Sequence, residues 1–153
     1  MPPPQPPIGL QLARAARVVG RAFDDALGEA DGSLPVWLVL LNLKIRPTAS
    51  QRELAAAVGV REATLTHHLN AMERDGLLTR RRDEQNRRVH VVELTRAGEA
   101  AFTRLAEAAA AFDQRLRDGL SDRQLGELGR LLQRLATNAD PEPDGSAPWA
   151  GLM

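Results

Sequence analysis

The feature that most constrains this chain is the run over residues 50–95, where two short helical patterns meet at a glycine and lead into an alternating, arginine-rich segment. Ser50-Gln51-Arg52-Glu53 reads as a capping box, in which the Ser hydroxyl and the Glu carboxylate each satisfy a backbone N–H that a helix start leaves unpaired. The helix beginning there is short, with Leu54, Ala55 and Val58 inward and Gly59 supplying the positive φ of a tight turn. Residues 61–74 give the next helix. Leu65, Leu69 and Met72 share one face, Ala63, His67, Asn70 and Arg74 the opposite one, and Thr64 and Thr66 flank the exposed side. An apolar back with a front of small, hydroxyl and polar side chains can enter a major groove and reach base edges. Taken alone, the same pattern also suits an ordinary surface helix.

Asp75-Gly76 closes that helix, and the pattern then changes period. Residues 77–82 read as a strand, residues 83–86 as a polar turn, and residues 87–94 as the partner strand, with Val89, Val91 and Glu93 alternating with His90, Val92 and Leu94. Such a hairpin must direct some of Arg80, Arg81, Arg82, Arg87 and Arg88 to solvent, where they can meet phosphates or a narrow minor groove. Asp83 and Glu84 are placed to hold others by charge-assisted bonds. Two helices, a tight turn and a basic hairpin make the layout of a winged helix-turn-helix, a reader of double-stranded DNA.

Net charge at first argues against that partner, because 20 Lys/Arg balance 20 Asp/Glu. Distribution reverses the conclusion: from residue 44 to residue 96 eleven Lys/Arg face seven Asp/Glu, and only a local basic surface is needed to meet phosphates.

The flanks are helical. Ile8, Leu12, Ala15, Val19, Phe23 and Ala26 recur at three- and four-residue spacing in a first helix ending near Gly28, with Arg14, Arg17 and Arg21 off that face. Ser33 is a suitable N-cap, with Pro35 in the first turn, for a second helix that is apolar nearly all round and so belongs at the centre of the core. Trp37 lies within it as a packing residue. After the hairpin, Thr95 caps a long helix reaching Asp118, whose Phe102, Leu105, Ala109, Phe112 and Leu116 form a packing seam. Gly119 interrupts it, and Ser121 to Gln124 starts a last helix striped by Leu125, Leu128, Leu132 and Leu135 with Leu131 beside it. Narrow stripes on helices outlying the lobe would stay wet in a lone subunit, and a homodimer resolves this. Residues 1–7 and 139–153 are expected to be loose tails, in the second of which Trp149 has no assigned role.

Composition excludes several classes. There is no cysteine, hence no disulfide framework or thiolate metal site. No apolar run approaches the roughly 20 residues that span a bilayer, and residues 1–7 lack the charge and apolar middle of a signal peptide, so the cytoplasm is the expected location. No glycine-rich phosphate loop, supported Ser/His/Asp order or carboxylate pair suggests an enzyme, a cofactor or a catalytic residue.

The whole order, two helices, a helix-turn-helix, a wing ending in Leu94-Thr95-x-x-Gly98 and two long helices, resembles the MarR family of bacterial transcriptional regulators over about residues 8–138. The most specific part is GLLTRRRDEQNRRVHVVELTRAG, residues 76–98. The resemblance implies a mainly α fold with a small β-hairpin wing. Residues 33–95 would be the DNA-binding region and residues 8–32 and 96–138 the dimerisation helices. It also implies a homodimer gripping successive major grooves of a pseudo-palindromic operator, commonly controlled by a small phenolic or other aromatic anion. Carried onto this sequence, the recognition helix falls on residues 61–74, making Arg61, Thr64, Thr66 and His67 the foremost base or phosphate contacts, with Ser50, Gln51, Ala63, Asn70 and Arg74 beside them. The wing contributes Arg81, Arg82, Arg87 and Arg88. Two positions after the wing aspartate, where the family usually places a minor-groove arginine, stands Gln85; either Arg82 or Arg87 takes over that contact or minor-groove readout is weaker. An effector pocket would fall near Trp37, with Arg14 and Arg17 as partners for an anion and His68 as a packed histidine or pocket group.

Two alternatives stay open on the sequence. His67, His68 and His90 suggest a metal- or pH-responsive regulator, although adjacent helical residues point about 100° apart and rarely share an ion, so no metal ligand set is assigned. A winged-helix dimer serving as a protein-interaction module would dock its basic hairpin on an acidic partner, but lacks a sequence signal of its own.

Overall fold

The computed structural model describes residues 5–140; the expectations for residues 1–4 and 141–153, Trp149 included, fall outside the described residues. Among the described residues six helices and three strands follow one another: α1 (Ile8–Glu29), α2 (Leu34–Ile45), β1 (Ala49–Ser50), α3 (Gln51–Val58), α4 (Glu62–Arg74), β2 (Leu78–Arg82), β3 (His90–Leu94), α5 (Arg96–Arg117) and α6 (Asp122–Ala139). No helix among the described residues is long and apolar enough to cross a membrane.

The core sits where α2 is surrounded. Leu40 and Leu43 of α2 pack with Leu54 of α3, Leu65, Leu69 and Met72 of α4, Leu78 and Val92 of the sheet, Leu105 of α5 and Leu27 at the end of α1. The all-round apolarity of α2 therefore has its expected cause. Capping follows the sequence: Val36 N–H donates to the Ser33 hydroxyl, the Ser50/Glu53 box closes reciprocally, and Gly59 takes φ 76°. Thr95 caps α5 by accepting from the Gly98 N–H at 3.0 Å. Gly98 is obligatory for a different reason, since a Cβ there would overlap the backbone carbonyl oxygen of Leu77. The Leu-Thr-x-x-Gly signature is thus a joint, where β3 turns into α5 close against the start of β2.

The expected hairpin is present, with one strand added to it and one boundary corrected. The hairpin is part of a three-stranded antiparallel sheet in the order β1-β3-β2, with Ala49 opposite Val92 and Ser50 opposite Val91. The second arm also begins at His90 rather than at residue 87, because residues 87–89 complete the turn, where Val89 N–H donates to the Asn86 carbonyl and Asp83 N–H to that of Val89. Val91 and Val92 point to opposite faces of the sheet and are both buried, so β3 is covered on both faces at that point.

α1 and α6 behave differently from the lobe. Only Leu27 of α1 is buried, and no residue of α6 is. The expected stripes are present but open: Ile8, Leu12, Val19, Leu128, Leu131 and Leu132 are all exposed. α1 is fastened at its C-terminal end, where Phe23 stacks on Phe112 at 5.0 Å between ring centroids and Arg104 Nε donates to the Ala30 carbonyl at 2.7 Å.

Candidate nucleic-acid interface

α3, α4 and the wing enclose an open cleft of about 810 Å³, walled by Ser50, Gln51 and Arg52 at the start of α3, by Glu62, Thr66 and Glu73 along α4, and by Arg80, Arg88, Val89 and His90 of the wing. The free N–H groups of a helix start carry partial positive charge and suit an anion. At α3 this effect is shared with Glu53, whose carboxyl is held below its ordinary range chiefly by the Ser50 backbone N–H.

Burial of Leu65, Leu69 and Met72 fixes which side of α4 faces outward. Ala63, Thr64, His67, Asn70 and Arg74 are exposed, as the helical spacing requires, while Thr66 is half-buried. The polar groups of this surface divide into two sets. Thr66 is engaged, accepting from Gln51 Nε2 at 2.6 Å and donating to the Glu62 carbonyl at 2.9 Å, so that it braces α4 against α3. Asn70 is engaged as well, its Oδ1 accepting from an Arg80 Nη. Thr64 makes no side-chain hydrogen bond among the described residues, and His67 has only the edge of His68, 5.8 Å away between ring centroids.

The arginines divide similarly. Along β2, side chains alternate, so Arg80 and Arg82 share the side of Leu78 and Val92 while Arg81 takes the other. Arg81 is paired there with Glu93 at 2.9 Å, a diagonal cross-strand bridge that raises the arginine's pKa and lowers that of the carboxylate. Arg80 is paired with Glu73. Arg61, Arg74, Arg82, Arg87 and Arg88 have no ion pair among the described residues and are exposed. At the tip, Asp83 Oδ1 accepts from the backbone N–H groups of Asn86 and Gln85, both at 2.8 Å, and those two bonds hold its carboxyl below its ordinary range. The wing aspartate therefore shapes the turn that presents Arg87 and Arg88. The expectation that Asp83 and Glu84 hold some of the wing arginines is corrected in its partners, because Arg80 pairs with Glu73 and Arg81 with Glu93; the Arg80–Glu73 link joins a helix to a strand, and no periodicity within either element reports it.

The residues considered for an effector are spread out. Arg14 and Arg17 line an open groove of about 540 Å³ on α1 with Pro6, Leu10, Gln11, Val18 and Arg21, a lining that includes neither Trp37 nor His68. Trp37 is half-buried and stacked on Phe102 at 5.6 Å between ring centroids. His68 is half-buried beside His67. Among the described residues no group of three His, Asp or Glu side chains is arranged to hold a metal ion.

Comparison with known proteins matches this architecture. The MarR family pattern covers residues 33–90. The transcriptional repressor CouR, solved bound to a 23-mer DNA duplex, is 30% identical with a TM-score of 0.76, over 87% of this chain and 92% of its own. Two more distant structures share the fold: the PcaV regulator from Streptomyces coelicolor in complex with its natural ligand (24% identity, TM-score 0.76, 90% of this chain and 99% of that one), and a MarR mutant from E. coli complexed with operator DNA (21% identity, TM-score 0.77, 84% and 93%). The chain belongs to the MarR family of transcriptional regulators and is a DNA-binding protein rather than an enzyme.

Proposed function

We propose that the protein is a homodimeric transcriptional repressor that recognises a pseudo-palindromic operator, its two winged lobes occupying successive major grooves. The observation that carries this reading is the outward face of α4, where the side chains of Ala63, Thr64 and His67 make no hydrogen bond among the described residues and stand beside five arginines that have no ion pair there. Unengaged small and polar groups are what base edges require, and unpaired guanidinium groups are what phosphates require. Thr64 and His67 serve as base contacts, with Ala63 allowing close approach. Arg61 and Arg74 meet phosphates at the two ends of α4, with Ser50 and Gln51 at the start of α3. Arg82, Arg87 and Arg88 meet the backbone or the minor groove from the wing, Arg82 or Arg87 standing in for the arginine that Gln85 replaces. Repression is supported by the described role of CouR. Such work places the protein in the cytoplasm beside the chromosome.

Dimerisation is supported by the apolar stripes that α1, α5 and α6 leave uncovered. Control by a small aromatic or phenolic anion is supported by the ligand complex of PcaV and by the aromatic and cationic character of Trp37, Arg14 and Arg17. Because these residues do not line one groove of a single subunit, the site proposed for the effector is completed by the second subunit.

The test is binding of the purified protein to the DNA upstream of its own gene or a divergent neighbour, against random duplex, across a salt series. Sequence-selective, salt-sensitive binding is expected, with Thr64→Ala and His67→Ala altering base preference and the double replacement of Arg87 and Arg88 by alanine weakening every duplex alike. Equal affinity for upstream and random duplex would sink the proposal.

A further inference from the structure

Glu73 sits at the last turn of α4, and an acid there runs against expectation twice. Its negative charge stands near the carbonyl end of the helix dipole, and it lines the cleft that on the reading above receives a polyanion. What it does instead is hold Arg80. Glu73 Oε2 accepts from Arg80 Nη at 2.7 Å and from Arg80 Nε at 3.2 Å, and Oε1 accepts from the Arg80 backbone N–H at 3.1 Å. That backbone group lies on β2, an outer strand of the sheet, so the carboxylate also satisfies an edge donor that has no strand beside it. A further Nη bond goes to Asn70 Oδ1. Arg80 has donors only, so the Asn70 atom that faces it is the carbonyl oxygen and the amide N–H₂ is the end left over. The Arg80 side chain is 18% exposed, whereas Arg61, Arg74, Arg82, Arg87 and Arg88, which have no ion pair among the described residues, are exposed.

We propose that Glu73 is a specificity-determining residue: by pairing with Arg80 on the wall of the cleft, it withholds one guanidinium per subunit from DNA phosphates and commits that guanidinium to setting the wing against α4. A phosphate contact strengthens binding to every sequence equally, so an extra one narrows the gap between operator and random DNA. Thr64 and His67 choose the bases on this account, and Glu73 keeps the sequence-blind attraction low enough for their choice to count. The Arg80 hydrogen bond also lowers the pKa of Glu73, so the carboxylate stays charged at working pH.

The inference rests on the DNA-binding face proposed above, and the experiment separates the two. Affinity for random duplex and for the duplex that the parent prefers is measured across a salt series for the parent, Glu73→Gln, Arg80→Gln and the double variant, with folding followed by circular dichroism. In Glu73→Gln the slope of log affinity against log salt on random duplex is expected to steepen by about 0.9 per subunit, which corresponds to roughly eightfold more gain per subunit between 1 M and 0.1 M salt, and the operator-to-random ratio is expected to fall. Arg80→Gln should keep the parental slope, and the double variant should return to it. An unchanged slope in Glu73→Gln overturns the proposal, as does a flattened one in Arg80→Gln, which would mean that Arg80 already touches phosphate. A double variant that stays steep also overturns it, since the effect would then belong to the acid's own charge. If Arg80→Gln does not fold, Glu73→Gln and the double variant decide. A parent that prefers no duplex removes the repressor reading while leaving the random-duplex slopes to judge Glu73.

Discussion

The winged lobe and the last helix are built from the same leucine-rich material and finish in opposite environments. Leu65 and Leu69 of α4 are completely buried, whereas Leu128, Leu131 and Leu132 of α6 are 41–50% exposed. Both helices are amphipathic and both begin with an acid in the first turn. The difference is the counterface. α4 meets α2, α3 and β2, each of which was shaped by its own pattern to present apolar groups inward, while α6 meets no comparable surface among the described residues of its own subunit. An amphipathic stripe thus records a demand for a partner, and only the rest of the chain determines whether that demand is met internally. Residues that bury within the lobe are paid for by folding; those on α6 are left to association, which is the basis of the proposed dimer.

The largest effects should therefore come from the lobe. Leu69→Ala removes a fully buried side chain from the middle of the core and is expected to cost about 2–5 kcal/mol of unfolding free energy, measured by urea denaturation at fixed protein concentration. Gly98→Ala comes next, at about 1–3 kcal/mol, because the added methyl meets backbone at Leu77, which cannot rotate out of the way as a side chain could. If Leu69→Ala cost no more than an α6 leucine, the division between a self-sufficient lobe and a dependent helix would be wrong.

How much of this was legible in the sequence follows the same division. Residues 54, 55, 58, 65, 69 and 72 were placed inward by spacing alone and are buried, and the Ser33, Ser50, Thr95 and Ser121 caps stand where expected, because helix periodicity and capping are local rules. β1 escaped because two residues are too few to show alternation, and its pairing is with a strand some forty residues on. Val91 and Val92 point to opposite faces and are both buried, which a period-two pattern with one covered face does not report. In the candidate interface, exposure on α4 was readable, but engagement was not. Thr66 and Asn70 look the same as Thr64 and His67 on a helical wheel, and only the fold brings Gln51 to one and Arg80 to the other.

On α6, the double replacement Leu128→Glu with Leu132→Glu should change the stability of a dilute single subunit by no more than about 0.5 kcal/mol, since neither side chain is buried there. The same variant should lose self-association, with sedimentation giving one chain mass where the parent gives two. A parent that sediments as a monomer at micromolar concentration would leave the exposed stripe without its proposed partner. A variant that unfolds outright would show that α6 supports the lobe after all.

The smallest effect belongs to the wing, where one carboxylate organises an exposed turn. Asp83 accepts from Asn86 and Gln85, and its pKa lies below the ordinary carboxylate value of about 3.9. A carboxylate depressed in the folded state contributes stability that is fully present above its unfolded value and is lost as pH falls through the folded one. Glu73 and Glu93 are lowered in the same sense by Arg80 and Arg81, so the parent's thermal midpoint should decline as the pH is taken from about 5 towards 3. Asp83→Asn keeps an oxygen acceptor and removes only the charge, and so should show a shallower decline over that window and no change in sedimentation. Parallel curves for parent and variant would mean that the turn is held by its backbone bonds alone. A change in association would mean that the wing and the outlying helices are coupled, and the two regions could no longer be treated as independent.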